Sequence, residues 1–242
     1  FIPATNHPTG IADGVAVYDA VRRVRPDIAI FTNRDAIRIN PRLSDFLIPV
    51  EWRENLRDRT KMKETLRLTS RAFGEEKLFA NMIAEAEHTT GVKHGWSSIT
   101  LSGFSAGYGA IRAILRHPAH FEMVDGVLLL DGFHASYEPE GKTLAEGGEV
   151  SGRNIDSYVA LAREAIKGRK QFVITHSQIH PGTYASTTEC SNELLRALGL
   201  RRQMSQNPGP TGMQQISKAE KGTIHVFGYA GETAADHVDH LH

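Results

Sequence analysis

Gly103-Phe104-Ser105-Ala106-Gly107 places one hydroxyl among small neighbours, between two apolar runs. Small residues at both ends let a strand reverse tightly into a helix, holding the apical residue in a strained conformation with its side chain exposed. A serine held so is a nucleophile for acyl chemistry, and the N–H of Ala106 at the helix start is available to the oxyanion that forms. Phe104 and Ala106 would border the substrate; the competing reading is a glycine-rich turn. A nucleophilic serine in this setting needs an acid and then a histidine, in that chain order. Asp131 closes the next apolar run and is the candidate acid, with a loop-capping aspartate as the alternative. In Asp236-His237-Val238-Asp239-His240, His237 is the first candidate for the base and His240 the second. The same His-x2-His spacing, with aspartates beside it, would also suit zinc. His134, His176 and His180 fall near predicted strand ends and read as pocket or supporting residues, His134 as a substrate contact.

These residues need a scaffold that brings strand ends together. Short β-rich runs at residues 98–101, 124–130, 171–175 and 223–227 alternate with helical stretches at 78–88, 108–115, 157–167 and 190–200. That alternation predicts an α/β fold, a parallel sheet with helices on both faces, whose chemistry collects at the carboxyl ends of the strands. Residues 136–156 read as a polar, glycine-rich excursion or lid, and residues 204–214 as a Pro/Gly loop. Further upstream, residues 12–23 read as a helix and residues 27–32 and 46–50 as short strands. Met62, Leu66, Thr69 and Phe73 recur at helical spacing in a charged surface helix.

The 242 residues carry 28 Lys+Arg against 28 Asp+Glu, a balance that argues against a nucleic-acid arm. Cys190 is the single thiol, so no internal disulfide forms and a zinc site would need His and carboxylate ligands; no metal is expected. A reducing, cytoplasmic setting fits this usage. The longest aliphatic run is residues 127–130, far short of a membrane span. Composition shifts near residue 79: residues 1–79 hold 14 basic and 11 acidic side chains and 3 of 22 glycines. Residues 1–79 and 80–242 are therefore read as separate segments.

Residues 98–242 resemble a bacterial branch of the α/β-hydrolase superfamily. The resemblance runs through residues 100–108, 128–134, 175–189 and 228–231, and on to Asp236-His237. It implies an acyl-enzyme esterase with Ser105 as nucleophile, His237 as base and Asp131 as the acid. Such hydrolases begin with further strands and a His-Gly-rich loop supplying a second oxyanion donor, and nothing upstream of Ser98 resembles that loop. Residues 1–79 resemble the first part of the glycerol-phosphate and lysophospholipid acyltransferase family. Asn6-His7-Pro8-Thr9-Gly10-Ile11-Ala12-Asp13-Gly14, Pro41-Arg42 and residues 47–52 carry that resemblance. It implies His7 as the base on a glycerol hydroxyl, Asp13 as its orienting partner and Arg42 as a phosphate contact. Acyl-CoA or an acyl-carrier thioester would be the co-substrate; otherwise no cofactor is expected. The plainer reading is a His-Pro turn followed by a helix-capping aspartate.

Three readings follow: a serine hydrolase on a small-molecule ester or lipid, a lysophospholipid acyltransferase, and a catalytically inactive hybrid or fragment. The first covers more of the chain and is the expectation taken forward. The start at Phe1 and the stop at His242 read as cuts, an expectation that favours the third. No nucleic-acid partner and no transmembrane segment are expected. An arginine-rich helix over residues 53–71 would permit peripheral membrane contact, though a solvated charged face explains it equally.

Overall fold

Strand Thr100–Phe104 (β3) carries the first two residues of the serine pentapeptide at its end, so the strand runs straight into the turn. It belongs to a computed structural model that describes residues 30–33, 47–50, 60, 61, 64, 67, 76–91 and 95–241. The chain divides into two compact units, Phe1–Gly91 and Val92–His242. In the first, strands Ile30–Asn33 (β1) and Leu47–Val50 (β2) pair in parallel, Ile30 opposite Leu47. Thr60, Lys61, Glu64 and Arg67 are helical. Helix Glu76–Thr90 (α1) buries Phe79 and runs unbroken across the composition shift near residue 79. The predicted helix over 12–23 lies outside the described residues, as do His7, Asp13, Arg42 and the apolar stripe Met62, Leu66, Thr69 and Phe73. Among the described residues no helix is long and apolar enough to cross a membrane.

The second unit is an α/β layer structure. After β3 come helices Tyr108–Leu115 (α2) and Pro118–Met123 (α3), strand Gly126–Leu130 (β4), and the two-residue strands Tyr137–Glu138 (β5) and Glu149–Val150 (β6). Helix Gly152–Ile166 (α4), strand Gln171–His176 (β7) and helix Thr187–Leu198 (α5) follow. Strands Gln203–Met204 (β8), Gln215–Lys221 (β9) and Ile224–Tyr229 (β10) lead to helix Ala234–Asp239 (α6). The sheet order is β3-β4-β7-β10-β9-β8. The first four strands are parallel, and their register brings Phe104, Leu130, Thr175 and Phe227 into one row at the carboxyl ends.

Side chains alternate across the strands. One face presents Val127, Leu129, Phe172, Ile174, Ile224 and Val226, all buried. Helices α2, α4 and α5 supply the opposing layer with Ile111, Ile114, Leu161, Ala162, Leu194 and others; the Tyr158 ring stacks on Phe172 at 5.9 Å. Each large apolar side chain sealed this way contributes about 1.5–3 kcal/mol. The other face presents Phe104, Leu130, Thr175 and Phe227, only half-buried, and α6 lies on it through Phe104 and Thr175.

Three elements depart from the sequence expectation. A helix, α3, intervenes before β4; Pro118 starts it, and the buried Lys170 ammonium donates to the Glu122 and Val124 carbonyls at its end. The excursion at 136–156 pairs β5 with β6 antiparallel and already contains the start of α4. Most consequentially, β9 and β8 add two antiparallel strands on either side of the expected loop at 204–214, with β9 on residues for which the sequence suggests no element. The buried residues of β9 include the polar Gln215 and Ser217 beside Ala219, so its alternation carries no hydrophobic signal.

Candidate active site

Ser105 has φ of +52°, a left-handed conformation rare for a residue with a side chain. Such strain persists only where the surroundings over-determine it. Here a Cβ on Gly103 would stand 2.8 Å from Ile111 Cδ1 and 3.2 Å from the Gly107 carbonyl carbon, so a side chain there would crowd the helix where it closes onto the strand. Gly132 packs against the Ser105 backbone from the neighbouring strand end. Residues Ser105–Gly107 form one 3-10 turn that continues into α2, so Ala106 N–H lies among the unpaired amides of a helical start.

Asp131, the residue after β4, also has positive φ, +39°. Its carboxylate is 2% exposed and fully engaged. Oδ2 lies 2.7 Å from His237 Nδ1, and Oδ1 accepts from the Ser177 N–H and the Thr187 hydroxyl, each at 2.8 Å. Burial alone would push this carboxyl up, but the hydrogen bonds from His237, Ser177 and Thr187 outweigh it and hold Asp131 well below the usual carboxylate range. Thr187 is the first residue of α5, so the carboxylate also faces the positive end of a twelve-residue helix.

His237 is set by the turn that enters α6. Thr233 and Asp236 form a capping box, and Gln178 N–H donates to the Gly231 carbonyl at 2.9 Å, tying this loop to the one after β7. The imidazole stacks on Phe104, centroids 4.4 Å apart, directly beside Ser105 in the chain. With Nδ1–H donated to an ionised Asp131, the neutral ring keeps its lone pair on Nε2. Among the described residues the Ser105 hydroxyl makes no hydrogen bond. The site is therefore an oriented acid–imidazole pair beside an unengaged, strained serine.

No family model, curated protein or solved structure matches this chain.

The remaining histidines fall into distinct settings. His240 is buried, and its Nδ1 meets the Thr175 hydroxyl at 2.7 Å; Thr175 in turn accepts from the Asp131 N–H. It stands behind the acid, and burial pulls its pKa down. His237 and His240 thus hold different partners, and among the described residues no three His, Cys, Asp or Glu side chains gather to hold a metal ion. His134 turns its Nδ1–H to the Ala185 carbonyl at 3.0 Å, between the rings of Tyr108 and Tyr184. His180 is exposed on the loop after β7.

His176 is buried at the end of β7 in a network absent from the sequence reading. Thr188 Oγ1 meets its Nδ1 at 2.9 Å, and the Arg202 guanidinium donates to its Nε2 and to Ser217 and Asn192. Ser177, Thr187 and Thr175, which hold Asp131, were missed as well. One signal was available: Ser186 and Glu189 are spaced as a capping box, which starts α5 at Thr187 rather than at Cys190.

Proposed function

We propose that the second unit is a serine hydrolase of the α/β-hydrolase type, cleaving an ester through an acyl-enzyme. The observation that carries this reading is the Asp131–His237 hydrogen bond at the strand rim where Ser105 is held at positive φ. Ser105 Oγ attacks the ester carbonyl as His237 Nε2 takes its proton, and the Ala106 N–H donates to the developing oxyanion. The protonated imidazole is stabilised by the buried Asp131 carboxylate, then passes its proton to the leaving alcohol. Water, deprotonated by the same nitrogen, attacks the acyl group and frees Ser105. Asp131 stays ionised throughout and fixes the tautomer.

A fluorophosphonate probe tests the assignment. Labelling of the folded protein at Ser105, lost in Ser105→Ala and in His237→Ala, is the expected result. A folded wild type that stays unlabelled would overturn it.

A further inference from the structure

Ser105, Tyr108 and Arg112 follow at i, i+3 and i+7, a spacing that puts them on one stripe of the helical segment leaving the serine turn. Arg112 carries its guanidinium over the Tyr108 ring, Cζ 5.5 Å from the centroid. Its Nη1 is buried with no hydrogen-bond partner, and among the described residues no carboxylate lies within ion-pair distance of it. A buried guanidinium nitrogen left without an acceptor is costly, and a bound anion offsets that cost. The neighbouring Arg116 is committed elsewhere, donating to the Arg153 carbonyl at 2.5 Å. The site therefore offers one positive charge.

The groups between Arg112 and Ser105 suit a ligand as well. Among the described residues the Tyr108 hydroxyl has no hydrogen-bond partner, so it is a free donor. The Tyr108 ring meets the edge of His134 at 5.5 Å, and Tyr184 closes the far side of His134 at 5.0 Å. Burial lowers the His134 pKa and keeps that ring uncharged, so the lining is aromatic and neutral.

We propose that Arg112 and Tyr108 form a subsite for a carboxylate on the acyl part of the substrate, making the preferred substrate a half-ester of a short dicarboxylic acid. This rests on the reading of Ser105 as nucleophile. One cation matches a singly charged carboxylate better than a phosphate dianion, which would call for a second. A 3-10 turn followed by one turn of α-helix spans about 12 Å, and a helical arginine leans back toward the N-terminus, so an acyl chain of about three to five methylenes is the length expected to reach it.

Two measurements separate the subsite from the nucleophile. The first compares kcat/KM for mono-p-nitrophenyl glutarate and p-nitrophenyl butyrate. The wild type is expected to favour the glutarate ester at least about tenfold, Arg112→Gln to collapse that ratio chiefly through KM, and Arg112→Lys to restore part of it. A ratio near one in the wild type, or one unchanged in a folded Arg112→Gln, overturns the proposal. The second titrates glutarate into Ser105→Ala by calorimetry. Binding there that is lost in Ser105→Ala/Arg112→Gln supports the subsite whether or not Ser105 is the nucleophile. A protein that reacts with fluorophosphonate yet gives no glutarate heat overturns the subsite alone. Phosphate binding in place of glutarate overturns the carboxylate assignment.

Discussion

Gly132 lies directly against the backbone of Ser105: a Cβ on residue 132 would stand 2.6 Å from the Ser105 carbonyl oxygen and 2.7 Å from its nitrogen. The contact joins the end of β4 to the serine turn, so the residue beside Asp131 also shapes the backbone of Ser105. Gly132→Ala is expected to push the turn away and lower fluorophosphonate reactivity, with a stability loss of about 1–3 kcal/mol from overpacking. Gly152→Ala is the control, because its Cβ would meet nothing within 4 Å. Urea midpoints and labelling rates of the two variants check this, and equal behaviour would refute the contact's importance.

Asp131 and His237 should act as a unit. Asp131→Asn preserves shape but reverses the tautomer logic, and a rate loss of about 10⁴-fold is expected for this change in an oriented serine–histidine system. His240→Asn removes the imidazole contact to the Thr175 hydroxyl and the edge contact to the Tyr229 ring, and leaves the Asp131–His237 pair in place. A supporting hydrogen bond of about 1 kcal/mol corresponds to less than about tenfold in rate. Hydrolysis rates for the variants, including His237→Ala, rank the two histidines; a larger loss at His240 than at His237 would reverse the assignment of the base.

His176 predicts a pH dependence of stability. Burial, reinforced by the adjacent Arg202 guanidinium, pushes its pKa down from 6.5 to about 3. The unfolded chain takes up a proton near 6.5 and the folded chain does not until about 3. The contribution of this neutral ring is therefore complete above pH 6.5 and is lost as pH falls from there toward 3. One such proton gives a slope of at most about 1.4 kcal/mol per pH unit. Urea unfolding across that range should show a flatter dependence in His176→Gln than in the wild type, and identical slopes would exclude the residue as the source.

Cys190 is fully buried on α5, where burial pushes its thiol pKa far up. An aromatic disulfide reagent should leave the native protein unreacted and titrate one thiol on unfolding. The reaction rate in denaturant should follow the loss of tertiary structure, and prompt labelling of native protein would contradict the packing of α5 against the sheet.

Much of the candidate site was legible along the chain because its signals are local. Gly103 and Gly107 flank Ser105 in a pattern that suits a strand-to-helix reversal, and Asp131 ends a short apolar run of β-forming residues. The strands β4, β7 and β10 were readable for the same reason, since continuous Val, Ile, Leu and Phe runs mark buried parallel strands. β9 was not, because its inward positions are polar and its partner β10 supplies the burial.

The sequence by itself determined which residues are able to do chemistry and that strands alternate with helices, since residue type, glycine placement and short-range periodicity are properties of neighbouring positions. It left the base open between His237 and His240, only three residues apart. Tertiary structure gives the two rings different partners: the register of β3, β4 and β7 puts Asp131 Oδ2 within reach of His237 and the Thr175 hydroxyl within reach of His240. It also brought Ser177 and Thr187, 46 and 56 residues away, onto Asp131, and left the Nη1 of Arg112 buried without a hydrogen-bond partner. Such relationships depend on where separate strands and helices end relative to one another, which packing of the whole sheet sets and no local pattern encodes.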